Sequence, residues 1–235
     1  MRIEPEISSV QIVVLGKINP AIFSPAWFVH MGLLHDDAKQ DAVVAVVHPQ
    51  VTEFQFDWVR VKATPERFEV ETLQAPYARL MNFAASVFES HLPHTPLTAF
   101  GINRAVHFRV RSRADRDRLG TTLVPLEPWG PWREDLQLDR ASGGMTAVRM
   151  SQHSPPGRHA NGQINIVVEP SQRVGREHGT GVFASVNDHF AADGDDLEAG
   201  QRLIRVMRDE FDASVRRSAG IIDHIMSLVE GERTR

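Results

Sequence analysis

Residues 52–72 read TEFQFDWVRVKATPERFEVET. Phe54, Phe56 and Trp58 alternate with Glu53, Gln55 and Asp57. This period of two puts apolar side chains on one face of a strand and polar ones on the other. Val59, Arg60, Val61 and Lys62 continue the alternation in shifted phase, which predicts a bulge near Trp58. Thr64-Pro65-Glu66-Arg67 forms a turn with proline at its second position, and Phe68, Val70 and Thr72 alternate on the return strand. A hairpin with one dry and one wet face belongs to an antiparallel sheet packed on one side only.

Upstream, Val10 to Ile18 reads as a strand, and Ser24-Pro25 opens a short helix carrying Trp27, Phe28, Met31 and Leu34. Ala42 to Val47 is apolar almost throughout, which predicts a strand buried on both faces or central in the sheet. Downstream, Pro76 opens a helix whose apolar stripe is Leu80, Phe83, Ala84, Val87 and Phe88. The segment LPHTP (92–96) breaks that helix and is the expected hinge.

The order then recurs. A long strand runs from Leu97 to Val110. Ser112 with Asp115 caps a short helix bearing Leu119 and Leu123. A long Pro/Gly-rich connection over 124–145 follows, with Trp129 and Trp132 expected to pin it to the body. Thr146–Gln152 and Gln163–Glu169 flank the hairpin tip HSPPGRHANG, and Gly181–Phe190 is the last strand. Asp195 with Glu198 caps a final helix over 196–229, striped with Ile204, Met207, Phe211, Val215, Ile222, Ile225 and Val229. Such a helix would be about 50 Å long.

The expected fold is therefore α+β. Two pseudo-repeated β-α-β-β-β-α lobes, residues 1–93 and 94–235, build an antiparallel curved sheet with helices on one face and a long C-terminal helix. One continuous sheet in a single compact domain is the joined version of the same plan.

Composition narrows the function. The 235 residues are 42% hydrophobic and 24% charged, ordinary for a folded chain. A net charge of −4 argues against general wrapping of nucleic acid. There is no cysteine, which removes disulfides, thiolate metal sites and cysteine nucleophiles. The acidic start MRIEPE lacks the form of a signal peptide, and no apolar run reaches membrane-spanning length. The expectation is a cytoplasmic protein with no membrane contact.

No phosphate-binding loop, dinucleotide fingerprint, nucleophile elbow or zinc-helix motif occurs. His153 and His159 flank an SPPG turn as a conceivable metal pair, with an exposed hairpin tip as the bland reading. His35-Asp36-Asp37 reads as a solvated loop. In Asn187-Asp188-His189, strand alternation sends Asp188 to the face opposite His189, a poor dyad. Asp223 and His224, adjacent on a helix, also diverge. No catalytic residue, metal ligand or cofactor is assigned. In the arginine-rich run 104–118, Arg104, Arg109, Arg111 and Arg113 are candidate anion or nucleic-acid contacts; a continued strand would line up the last three. A charged, aggregation-resistant edge is the plain alternative. Phe54, Phe56 and Trp58 read as core ahead of a base-stacking platform. Phe211, Val215, Ile222 and Ile225 on the overhanging final helix are candidate oligomer contacts.

The segments AFGINRAVHF (99–108) and GVFASVNDHF (181–190), with MRDEF (207–211) in the closing helix, resemble an uncharacterised, sporadically distributed family of prokaryotic α+β proteins. The likeness covers under a third of the chain and brings no catalytic residues. Separately, the element order resembles saddle-shaped duplicated folds such as TATA-binding proteins, a likeness of topology alone. The leading expectation is a non-catalytic binding or assembly protein, a subunit or adaptor in a larger bacterial complex, with a protein partner and self-association as a dimer. The alternatives are an RNA- or DNA-binding or processing protein using residues 104–118, and a metal-dependent hydrolase using His153, His159 or Asp188.

Overall fold

The computed structural model describes residues 3–136, 144–156, 161–194 and 196–229. The elements are β1 (Ile7–Gly16), α1 (Pro25–His30), α2 (Ala38–Asp41), β2 (Val43–His48), β3 (Val51–Phe56), β4 (Val59–Thr64), β5 (Arg67–Thr72) and α3 (Ala78–Ser86), which runs on into a π-turn at Val87–His91. There follow β6 (Leu97–Arg109), α4 (Arg113–Leu123), α5 (Trp132–Leu136), β7 (Val148–His153), β8 (Gly162–Pro170), β9 (Gly181–Ala191) and α6 (Leu197–Ser227).

The nine strands of the described residues join one antiparallel sheet in the order β2-β3-β4-β5-β1-β6-β9-β8-β7. β1 and β6 pair at its centre over residues 7–16 and 97–107, so the sheet runs unbroken across the expected hinge. The packed face carries Val10, Ile12 and Val14 of β1, Val61 of β4, Phe68 and Val70 of β5, and Phe100 and Ile102 of β6, all buried. Against it sit Phe28, Leu80, Phe83 and Phe88 from the first half, with Leu203, Ile204, Met207 and Phe211 from α6. A second cluster joins Val106, Phe108, Val182, Ala184 and Val186 to Leu119, Ile222, Ile225 and Met226. The packed helices therefore lie on one side of the sheet, as alternation predicts. Phe54 and Trp58 are buried in this core, Trp58 edge-on to Phe83 at 5.6 Å with Arg79 over its ring.

α6 is a single helix of 31 residues, about 46 Å long at ~1.5 Å per residue, and Gly220 does not interrupt it. Its cap is Asp196, whose carboxylate accepts from Ala199 N at 2.6 Å; the expected cap Asp195 lies outside the described residues. Gln201 donates to the carbonyls of Phe88 and Pro93, and Arg208 grips Glu89 at 2.6 Å, tying α6 to the first half. The helix crosses both apolar clusters, and a polar seam lies where it passes from one to the other. There Arg217 Nη2 donates to the buried Asp188 carboxylate at 2.8 Å. Ser214 Oγ, Ser218 Oγ and Arg217 Nε are buried beside it without a hydrogen-bond partner among the described residues.

Several expectations are corrected. The irregularity near Trp58 is a chain reversal: Phe56 pairs with Val59, and Asp57 takes the turn at φ 45°, a conformation Asp tolerates. The first half thus has four strands after its helices where three were expected, and its element order differs from the second half by that strand. β2 is not central; it is an edge strand with Val43 74% and Val47 52% exposed. Trp129 and Trp132 do not pin the long connection: each is half exposed and they pack edge-on against one another at 5.7 Å. Phe211, Ile222 and Ile225 are buried under the sheet, and Val215 packs against the same core, so the stripe is spent inside one chain.

Candidate binding face

The other side of the sheet is built by the residues that alternate with the core. The strand registers bring one of them from each of eight strands into a transverse line: Gln55, Arg60, Glu71, Gln11, Asn103, Asn187, Asn165 and Ser151. Each is directly opposite the next, and none is apolar.

The side chains along this line are bonded to one another. Gln11 Nε2 donates to Glu69 Oε2 at 2.9 Å, Asn103 Nδ2 to Gln11 Oε1 at 3.3 Å, Asn187 Nδ2 to Asn103 Oδ1 at 2.7 Å, and Asn165 Nδ2 to Asn187 Oδ1 at 3.2 Å. Asn165 Oδ1 accepts from both Ser151 Oγ and Gln163 Nε2. An ionised carboxylate only accepts, so Glu69 fixes the orientation of Gln11, which fixes Asn103, and so on outward. The amides therefore point one way in a preset chain, and each Asn retains one N–H for an outside partner. Gly101 allows the arrangement: a Cβ there would stand 2.7 Å from Asn187 Nδ2.

The first-half end of the face is charged but balanced. Arg60 bonds Glu53, which draws the Glu53 carboxyl below its usual range and raises the Arg60 guanidinium; Lys62 also pairs with Glu53 at 3.5 Å. Arg67 pairs with Glu69. Gln11, Arg60, Lys62, Glu69 and Glu71 line a small cavity of about 100 Å³. At the second-half end, His189 lies opposite Gly101 and Gln163, and partial burial lowers its pKa. His107, lowered by burial and by Arg173, contacts Ser171 Oγ at 2.8 Å and lies tilted against the Phe183 ring at 4.7 Å. Ser171 Oγ already accepts from Arg173 N and Val174 N, so its own hydrogen goes to His107 Nδ1 and the ring is neutral.

The arginine candidates are dispersed. β6 ends at Arg109, so the expected row of Arg109, Arg111 and Arg113 on one strand does not form. Arg104 lies on the helix side, bonded to Ser8 Oγ at 2.7 Å and Ser9 O, with Tyr77 stacked at 5.4 Å. Arg109 pairs with Glu6, Arg111 with Asp115, and Arg113 with Asp117. His153 is exposed at the end of β7, and its suggested companion His159 lies outside the described residues. Asp188 and His189 face opposite sides, as alternation requires. Among the described residues no group of three His, Asp or Glu side chains converges as a metal cage would. Nor is any described helix long and apolar enough to cross a membrane. The amide line is the functional candidate that sequence reasoning missed; its only trace was polar residues at alternate positions of separate strands.

No protein-family model matches the chain, and no curated protein is significantly similar to it.

Proposed function

We propose that the protein is a non-catalytic binding protein, a subunit or adaptor of a larger assembly, and that a protein partner docks on the helix-free face of its sheet. The observation that carries this reading is the oriented line of amides from Gln11 to Asn165. Its donors and acceptors are already aligned, so little side-chain entropy is lost when a partner binds. The neighbouring carboxylates and cations pair with each other, which suits the polar, mixed surface of a protein better than a uniform polyanion.

The test is to purify the tagged chain from cells that make it and quantify co-purifying protein for the wild type, Asn103→Ala/Asn187→Ala, and Arg205→Ala on the exposed side of α6. The expected result is one stoichiometric partner, held by the wild type and the α6 variant and lost by the amide variant at unchanged thermal midpoint. A partner retained by the amide variant, or no stoichiometric partner, overturns the reading.

A second reading, binding of RNA or DNA, is favoured by one corner. Arg113 and Arg116 of α4 meet the 171–180 loop, Arg116 Nη1 standing 3.4 Å from where a Gly179 Cβ would be, with Arg173 and Arg176 in the same loop. Asp115, Asp117 and Glu177 offset part of this charge. Gel shifts at low salt with mixed RNA and DNA decide it: no shift ends this reading.

A further inference from the structure

We propose that two copies of this chain join edge to edge through β2, antiparallel across a two-fold axis, so that two nine-stranded sheets become one. Among the described residues β2 hydrogen-bonds to β3 alone, which leaves its outer rim of backbone groups without a strand partner. Such rims are normally guarded by Lys, Pro or a cover. Val43–His48 carries neither residue, and Val43, Val44 and Val47 are 74%, 48% and 52% exposed. The opposite edge, β7, is guarded by Arg149, Ser151, Gln152 and His153 around the exposed Met150.

The identity of the occupant follows from symmetry. An isologous contact must accept itself, residue i meeting j and j meeting i. The run Val43-Val44-Ala45-Val46-Val47 has no charge to repel its copy. The shift in the β2–β3 register between Val44 and Val46 matters here. It sets Val44 opposite Phe54 and Val47 opposite Thr52, both on the packed side of the sheet. Antiparallel pairing about the midpoint of Ala45 and Val46 then places Val44 of each copy against Val47 of the other, and Val43 against His48. Four valines form an apolar strip on the helix side. Pairing β2 with β7 instead would set valines against Arg149 and Gln152 and would propagate into an open filament. One strand pair is smaller than a standard interface, so the dimer is weak. The proposal does not depend on the amide line.

Sedimentation velocity over a concentration series from low micromolar to several hundred micromolar is the test. The wild type is expected to shift from monomer to dimer. Val44→Lys and Val47→Lys, at exposed positions, should weaken association by about tenfold or more, while Met150→Lys on β7 leaves it intact. The register has its own check, because the chain has no cysteine. A Val44→Cys chain mixed with a Val47→Cys chain should form covalent dimers on oxidation, and either alone should not. A wild type that is monomeric throughout, a species larger than a dimer, insensitivity to the β2 lysines, or cross-linking without this pairing rule each overturns the proposal. Loss of the docked partner in the Asn103/Asn187 variant leaves this equilibrium unmoved, so the two readings fail separately.

Discussion

Removing Arg217 is expected to be among the most damaging single changes to this fold away from its apolar core. The Asp188 side chain is 1% exposed and sits between Ile102 and Ile164 on the packed face. Arg217 Nη2 lies 2.8 Å from its carboxylate, and the Arg217 side chain is 29% exposed. Arg217→Met keeps the length and removes the charge, stranding a desolvated carboxylate beneath α6. Breaking a buried pair in this way costs about 3–5 kcal/mol, and the lower end applies because Asp188 has a further interaction. The reverse change, Asp188→Leu, leaves a guanidinium that still reaches water, so about 1–2 kcal/mol is expected. The double variant should be nearly as stable as the wild type, since a buried pair roughly breaks even against apolar groups of similar volume. Urea denaturation of the four proteins closes the cycle, with an expected coupling of about 4–5 kcal/mol, the sum of the two single losses. Midpoint temperatures should fall about 6–12 °C for Arg217→Met. Two small, additive single effects would refute the account and reduce the seam to a surface ion pair.

Phe211→Ala should cost about 3–5 kcal/mol, because the ring is buried in the first core cluster rather than offered to a second chain. That loss must be the same at every protein concentration; a concentration-dependent loss would restore Phe211 to an interface. Acidification should destabilise the fold through His107 and His189, both lowered by burial. With folded values below the unfolded value of about 6.5, the unfolded chain binds more protons, so stability is full above that pH and falls as pH drops through it toward the folded values. Denaturation midpoints measured from pH 8 to pH 5 check this, and a flat profile counts against the neutral His107–Ser171 pair.

Local pattern carried much of this fold. Alternation in Phe68, Val70 and Thr72 and the stripe Leu80, Phe83, Ala84 and Phe88 needed only the period of their own element, and both are buried where the pattern sends them. The readings that failed needed neighbours. An apolar run such as Val43–Val47 looks the same in a sheet centre as on a bare edge, and only the pairing order separates them. The reversal at Asp57-Trp58 carries no glycine or Asn-Gly signal, and the shift in phase read equally as a bulge. Arg111 and Arg113 keep a spacing of two, but the strand stops before them and Ser112 starts a helix. The amide line was out of reach because Gln11, Asn103, Asn165 and Asn187 meet only through three long-range registers.

α6 has a consequence for how the molecule comes apart. Leu203, Ile204, Met207 and Phe211 close the cluster in which first-half residues meet Phe100, Ile102 and Phe190, while Ile222, Ile225 and Met226 close one whose buried residues all belong to the second half. A break in the 92–96 linker would therefore leave the first fragment with α1 and α3 but without the share of its roof that α6 supplies, and the second with the front half of α6 partly uncovered. Mixed together, the two pieces would be driven to reunite along β1 and β6. The molecule is built as a complementation pair, its two parts held in a single chain.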